Sequence, residues 1–228
     1  CVEPQKSGKT NGWHDAAFFN MCRPLELVFA NGMDKGVQVG IQTGDVTKMN
    51  TFDEFYDAYK KQMEYCISLM VNADNAIDVA HAERCPLPFL ASMVDDCLTR
   101  GLTAEQGGAV YNFTGPQGFG IANMADSLYA IRKLVYEDKK VSMETYKEAL
   151  AWNYDKGLDE RSVADMAEMI LKGMQDAGMT VNEGTAKAVL QTVMRLKPSD
   201  EQIQKFTELH DMIDEVPKFG NAIDDVDY

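Results

Sequence analysis

A chain of 228 residues can bury a substantial core in one or two domains, and 45% apolar with 25% charged residues is the composition of a globular protein. Its 36 acidic against 22 basic side chains, a formal charge of −14, argue against a nucleic-acid surface or an anionic membrane as partner. No apolar run approaches the roughly 18 residues of a spanning helix, and no secretory leader is visible. The five cysteines (Cys1, Cys22, Cys66, Cys85 and Cys97) are odd in number and scattered. That fits reduced thiols in the cytoplasm better than a disulfide framework, and the lack of a Cys-x-x-Cys pair argues against a zinc ribbon.

In chain order, Cys1-Val2-Glu3-Pro4 comes first. Alternate residues of an extended segment share a side, so Cys1 and Glu3 would face one cavity. A sulfur that takes a hydrogen atom and a carboxylate that takes a proton are complementary tools. Phe18, Phe19, Met21, Cys22, Leu25, Leu27 and Val28 have a loose helical spacing, which predicts a helix from about 15 to 30 with Pro24 as a kink or break. Residues 32–50 read as an irregular connection. Thr51-Phe52-Asp53-Glu54 is a capping box opening a helix to about residue 80, with Phe52, Phe55, Tyr59, Met63, Cys66, Ile67, Met70 and Val71 as its stripe.

Beyond Pro86-Leu87-Pro88 a helix is expected from Phe89 to Arg100, closed by Gly101, and Ala109–Phe113 reads as a short strand. Further helices are expected over 121–138, with Met124, Leu128, Ile131 and Val135 on one face, and from Ser142 to about Asn153. Three amphipathic helices, at 164–177, 184–196 and 199–214, complete the series as a surface layer. Ala164, Ala167, Met169, Ile170 and Met174 are its apolar contacts, and the methionines at 166, 169, 174 and 179 read as core filler.

Several of these words recur as a set. Cys1-Val2-Glu3-Pro4-Gln5 with Gly12-Trp13-His14-Asp15-Ala16-Ala17-Phe18-Phe19-Asn20, then His81–Phe89, then Gly107–Gly118, resemble in order the active-site segment of the glycyl radical enzymes. That family contains pyruvate formate-lyase and the anaerobic diol dehydratases. Lys218-Phe219-Gly220-Asn221 fits as well. The resemblance covers most of 1–157 and returns at 214–228, whereas 158–213 carries none. It implies an α/β fold, mostly helical in this segment, within a ten-stranded barrel. Residues 1–157 would be the central barrel part, 158–213 a helical insertion and 214–228 the return to the barrel. The family places the cysteine loop deep inside a longer chain, so an internal segment is implied.

The resemblance also implies roles. Cys1 would carry a transient thiyl radical, and Glu3 would be the base that deprotonates the substrate hydroxyl, its pKa lifted by burial. Asp15 would hydrogen-bond a substrate hydroxyl; read by itself it is an N-cap. His14 is either a group that orients the site or a packed imidazole. Pyruvate formate-lyase has a second cysteine where this chain has Val2, which argues against acyl transfer from pyruvate. The implied function is a lyase that removes water from a small hydroxylated substrate. No bound cofactor or metal is implied, the radical being a protein glycyl radical installed by an S-adenosylmethionine/iron–sulfur activating enzyme. A homodimer is implied too.

Other readings stand beside it. An arylacetate decarboxylase or a C–S or C–N lyase of the same family keeps the Cys-x-Glu pair. From other classes come an N-terminal Cys nucleophile hydrolase, with Cys1 using its own amine as base, and a segment that is inactive alone. His81, Glu83 and Cys85 do not complete a zinc deaminase signature, because Pro86 follows the cysteine and no second one stands three residues on. Gly115, Gly118 and Gly120 read as tight backbone packing rather than a phosphate loop.

Overall fold

A computed structural model describes residues 5–13, 16–153, 160–194, 196 and 198–219. Strand β1 is Thr10–Trp13 and β2 is Phe18–Asn20, followed by helix α1, Arg23–Phe29. A small hairpin, β3 (Met33–Asp34) and β4 (Val37–Gln38), leads to the long helix α2, Phe52–Arg84. Short helices α3 (Pro88–Ala91) and α4 (Cys97–Arg100) precede strands β5 (Tyr111–Thr114) and β6 (Gln117–Phe119). Helix α5, Ile121–Ile131, continues as a π-helix over Arg132–Glu137, and α6 is Met143–Ala151. Helices α7 (Glu160–Asp176), α8 (Glu183–Val193) and α9 (Asp200–Glu215) complete the series.

The chain divides into two compact units, and α2 is shared between them at Gln62 and Met63. One unit takes the described residues up to Met21 and then Met63–Ile121; the other takes Cys22–Gln62 and the described residues from Ala122 onward.

The first unit is built on two parallel strand pairs. β1 lies beside β5, with Thr10 opposite Tyr111 and Trp13 opposite Thr114, and β2 lies beside β6, with Phe18 opposite Gln117. This corrects the helix expected from residue 15. Phe18–Asn20 is a strand, held by Gln117 N–H donating to Ala17 O (2.8 Å) and Met21 N–H donating to Phe119 O (3.0 Å). Pro24 falls in the first turn of α1, where a missing N–H costs nothing, so it starts the helix instead of kinking it. The helix expected over 89–100 is also two pieces. Asp95 N–H donates to Gly8 O at 2.7 Å, so it is lost to a helical ladder, and Asp96 takes a left-handed φ of 75°. The core of this unit is small: Ala91, Cys97, Ala104 and Ala109, with Leu90 and Val94 packed against them.

In the second unit the hairpin turns at Lys35 and Gly36, both at positive φ as a two-residue primed turn requires. The fully buried Gln62 clamps the following loop, accepting from Ile41 N–H (3.2 Å) and donating to Ile41 O (2.6 Å). The expected capping box is present: Thr51 Oγ1 accepts from Glu54 N–H, and Glu54 Oε2 accepts from Thr51 N–H. Phe55, Tyr59, Leu128, Ile131, Leu134, Tyr146, Phe206 and Leu209 are buried. Phe29 meets Phe55 edge-on at 5.6 Å and stacks on Tyr146 at 6.2 Å. Leu134 takes the buried place expected of Val135, which is only half-buried. The methionine expectation fails in part, because Met169 and Met179 are more than half exposed; Ala164 and Ile170, expected as apolar contacts, are exposed as well. In α7 it is Ala167 that is buried.

Candidate functional site

Cys1, Glu3, His14 and Asp15 lie outside the described residues, so the site is built from the frame that adjoins them in sequence. That frame is the β1–β5 pair, which is parallel and in register from Thr10 to Trp13. Both strands therefore end at the same level, with Trp13 opposite Thr114. In parallel α/β sheets the carboxyl ends of strands are where ligands are bound and catalytic residues are placed. Four residues (14–17) link β1 to β2, against two (Gly115 and Pro116) linking β5 to β6. The first strand segment thus has two more residues than its neighbour where His14 and Asp15 occur.

The frame is held by backbone chemistry more than by apolar packing. Asn11 and Asn112 are register partners, and both tie the strands to the loop over residues 104–109. Asn11 Nδ2 donates to Ala104 O at 3.2 Å; Asn112 Nδ2 donates to Ala109 O at 2.8 Å and Gly107 O at 3.2 Å. The loop needs its glycines. Gly107 has φ of 82°, and a Cβ on Gly108 would sit 2.8 Å from Thr103 O. At Gly12 a Cβ would fall 2.5 Å from the Phe113 ring, so the ring covers the β1 backbone where a side chain would stand. At Gly118 a Cβ would lie in ordinary contact, 3.4 Å from Met21 Sδ, and Gln117–Phe119 around it is strand β6.

Before β1, Gly8 at φ 68° turns the chain, Thr10 Oγ1 accepts from Lys6 N–H (2.9 Å), and Lys9 pairs with Asp95 (3.1 Å). Both partners of that pair are well exposed, so it contributes little. At the far end of β5, Thr114 Oγ1 donates to Asp78 Oδ2 at 2.6 Å. Asn11, Asp78, Glu105, Asn112 and Thr114 line a polar cavity of about 220 Å³. Asp78 was not among the residues the motifs pointed to. The signal for it was available in the α2 stripe, which continues at the same spacing through Asp74, Asp78 and His81.

The remaining thiols and cavities are of another kind. Cys97 is buried, and burial, reinforced by Glu105, pushes its thiol pKa up, so it is a protonated packing group. Glu83 and Cys85 are exposed at and beyond the end of α2, and among the described residues no group of three His, Cys, Asp or Glu side chains is placed to hold a metal. A cavity of about 620 Å³ belongs to the second unit and is lined mainly by apolar groups such as Leu25, Phe29, Ile131 and Leu150. Its polar rim is already committed: Asp126 accepts from Phe219 N–H, and Lys218 donates to the Ile213 and Val216 carbonyls. Of the described motif residues, Lys218 lines it.

Two parallel strand pairs in a mostly helical chain, which run through Gly12–Trp13, Phe18–Asn20 and Tyr111–Gly118 of the motif words, define a class. The chain belongs to the pyruvate formate lyase-like family, whose model matches residues 1–228. It is similar to the (2S)-3-sulfopropanediol dehydratase of Klebsiella oxytoca, 37% identical over 156 residues, which is 68% of this chain and 19% of that protein. Among solved structures it is similar to one on 1,2-propanediol dehydration in Roseburia inulinivorans, with TM-score 0.95 and 56% identity, covering 99% of this chain and 27% of that one. The glycerol-bound form of the B12-independent glycerol dehydratase from Clostridium butyricum follows, with TM-score 0.73 and 40% identity, covering 99% and 22%. The chain thus spans about a fifth of the curated relative's length and has the α/β fold of the corresponding segment in the solved ones. No described helix is long and apolar enough to cross a membrane.

Proposed function

We propose that the chain is the cysteine-loop segment of a glycyl radical dehydratase acting on a small diol. The observation that carries this reading is the 56% identity, across 99% of the chain, to the propanediol dehydration structure. Val2 beside Cys1, in place of a second cysteine, supports elimination over acyl transfer.

The family's glycyl radical, on a residue outside this segment and installed by a radical S-adenosylmethionine activating enzyme, supplies the one-electron vacancy. Cys1 Sγ, as a thiyl, takes the hydrogen atom from the carbon bearing one hydroxyl. Glu3 takes the proton of that hydroxyl and returns a proton to the neighbouring hydroxyl, which leaves as water. The Cys1 S–H then returns its hydrogen to the product carbon, leaving an aldehyde and the thiyl restored. Asp15 and His14 hold and orient the substrate hydroxyls. Shielding from water protects the radical, and burial raises the pKa of Glu3 toward the range a base needs.

Residues 158–213 form a helical insertion relative to the curated relatives, whose match spans 68% of the chain, and 1–157 with 214–228 form the barrel part. The working enzyme is a cytoplasmic homodimer of anaerobic metabolism. The test is aldehyde release from propane-1,2-diol by the full-length, activated protein under strict anaerobiosis. Cys1→Ser and Glu3→Gln should each abolish turnover while leaving the glycyl radical signal intact in electron paramagnetic resonance. Turnover by either variant at the parent rate would overturn the reading.

A further inference from the structure

Helix α2 changes character along its length. Its covered stripe runs Phe55, Tyr59, Gln62, Met63, Cys66 and Met70, then continues at helical spacing as Asp74, Asp78 and His81. Asp74 is 8% exposed, whereas Ile77 and Val79 around it are 47% and 58% exposed. The covered side of the helix thus carries a buried acid, Asp74, and a half-buried one, Asp78, which burial free energy disfavours. A local rule broken in this way marks a position selected for something other than stability.

One of these acids has a defined task. Asp78 accepts the Thr114 hydroxyl proton at 2.6 Å, the normal length of a charge-assisted O–H···O⁻ bond. Thr114 closes β5 opposite Trp13, and the next residues after Trp13 are His14 and Asp15. Asp78 and Thr114 also line the 220 Å³ cavity beside β1 and β5.

We propose that Asp78 is a positioning residue: through the Thr114 hydroxyl it fixes the carboxyl ends of β5 and β1, from which the chain runs on in sequence to His14 and Asp15. The inference rests on the dehydratase reading for its kinetic consequence but not for its structural one. Thr114 retains two lone pairs after donating to Asp78, and its β-branched shape suits the strand, so the hydroxyl can be removed or restored without altering the packing.

The experiment uses the full-length protein, activated, with Thr114→Val, Thr114→Ser and Asp78→Asn beside the parent. Hydrogen exchange of the peptide covering residues 12–18 should speed up about tenfold or more in Thr114→Val and Asp78→Asn, the factor expected for loss of a bond to a charged group. Thr114→Ser should stay near the parent, and exchange in α9 should be unchanged in all three. For diol turnover, the first two variants should lose about 10- to 100-fold in kcat/KM, mainly through KM, with the radical signal undiminished. Thr114→Ser should recover most of that loss. Parent-like exchange and parent-like KM in Asp78→Asn and Thr114→Val would overturn the proposal, as would a loss that Thr114→Ser fails to rescue. If the parent itself dehydrates no diol, the functional reading falls, and the exchange comparison alone decides the positioning role.

Discussion

The two units reach stability by opposite routes. The second buries large side chains, among them Phe55, Ile131, Leu134, Phe206 and Leu209, under an aromatic cluster. Among the described residues, the apolar core of the first is the four small side chains of Ala91, Cys97, Ala104 and Ala109. What defines its shape is backbone pairing, two asparagine ties and glycines that admit close approach. The lesson is that the part adjoining the motif residues is specified by hydrogen-bond geometry, while the rest is specified by volume. A site built on the first kind of frame is precise in direction but has little apolar reserve.

The comparison breaks most easily at Phe55. Phe55→Ala removes a fully buried ring and should cost about 3–5 kcal/mol in urea unfolding; a loss under about 1 kcal/mol would mean the second unit is not held by volume. Gly108→Ala should cost about 1–3 kcal/mol, because the new Cβ meets the Thr103 carbonyl rather than a movable side chain. A silent Gly108→Ala would show that the loop relaxes freely. Asn112→Ala, which removes the donor to Gly107 O and Ala109 O, should cost about 1 kcal/mol and speed exchange in β5 before anything in α9.

A subtler separation comes from alkali. Burial, with Glu54 adding to it, pushes the Tyr136 phenol up to about 12, and burial pushes Tyr59 up as well. Between pH 10, where an unfolded tyrosine loses its proton, and about 12 the folded state holds more protons than the unfolded one, so stability falls as pH rises. Urea midpoints of the second unit should therefore drop between pH 9 and 11, and Tyr59→Phe with Tyr136→Phe should flatten the decline. The smallest effect is chemical: at pH 8 Cys85 should react with a maleimide at the rate of an exposed thiol, and Cys97 far more slowly. Equal rates would mean the small core opens readily.

Helices with chemical start signals were legible in the sequence. Thr51 with Glu54, Ser142, Asn182 and Ser199 with Gln202 cap α2, α6, α8 and α9 within a residue or two of the expected places. The short strands β2 and β6 were not, because three-residue strands take their identity from a partner about a hundred residues away. The break between α3 and α4 was hidden for the same reason, since a tertiary bond to Gly8 takes the Asp95 N–H. At the site, motif words identified the family; the roles proposed for Cys1, Glu3, His14 and Asp15 rest on that resemblance and not on geometry. Asp78 escaped because a search for apolar stripes stops where the stripe turns acidic.

The π-helix at Arg132–Glu137 has a consequence for anyone editing this chain. Its Asp138 N–H reaches back five residues to the Lys133 carbonyl, at 2.8 Å, instead of four. The six residues of this wider coil sweep about the same angle as five at ordinary pitch, so deleting a single residue there would let the coil rewind while the downstream face keeps its direction. Tyr136 would stay with its aromatic neighbours Phe52 and Phe55, making this a place where a change of length is absorbed locally.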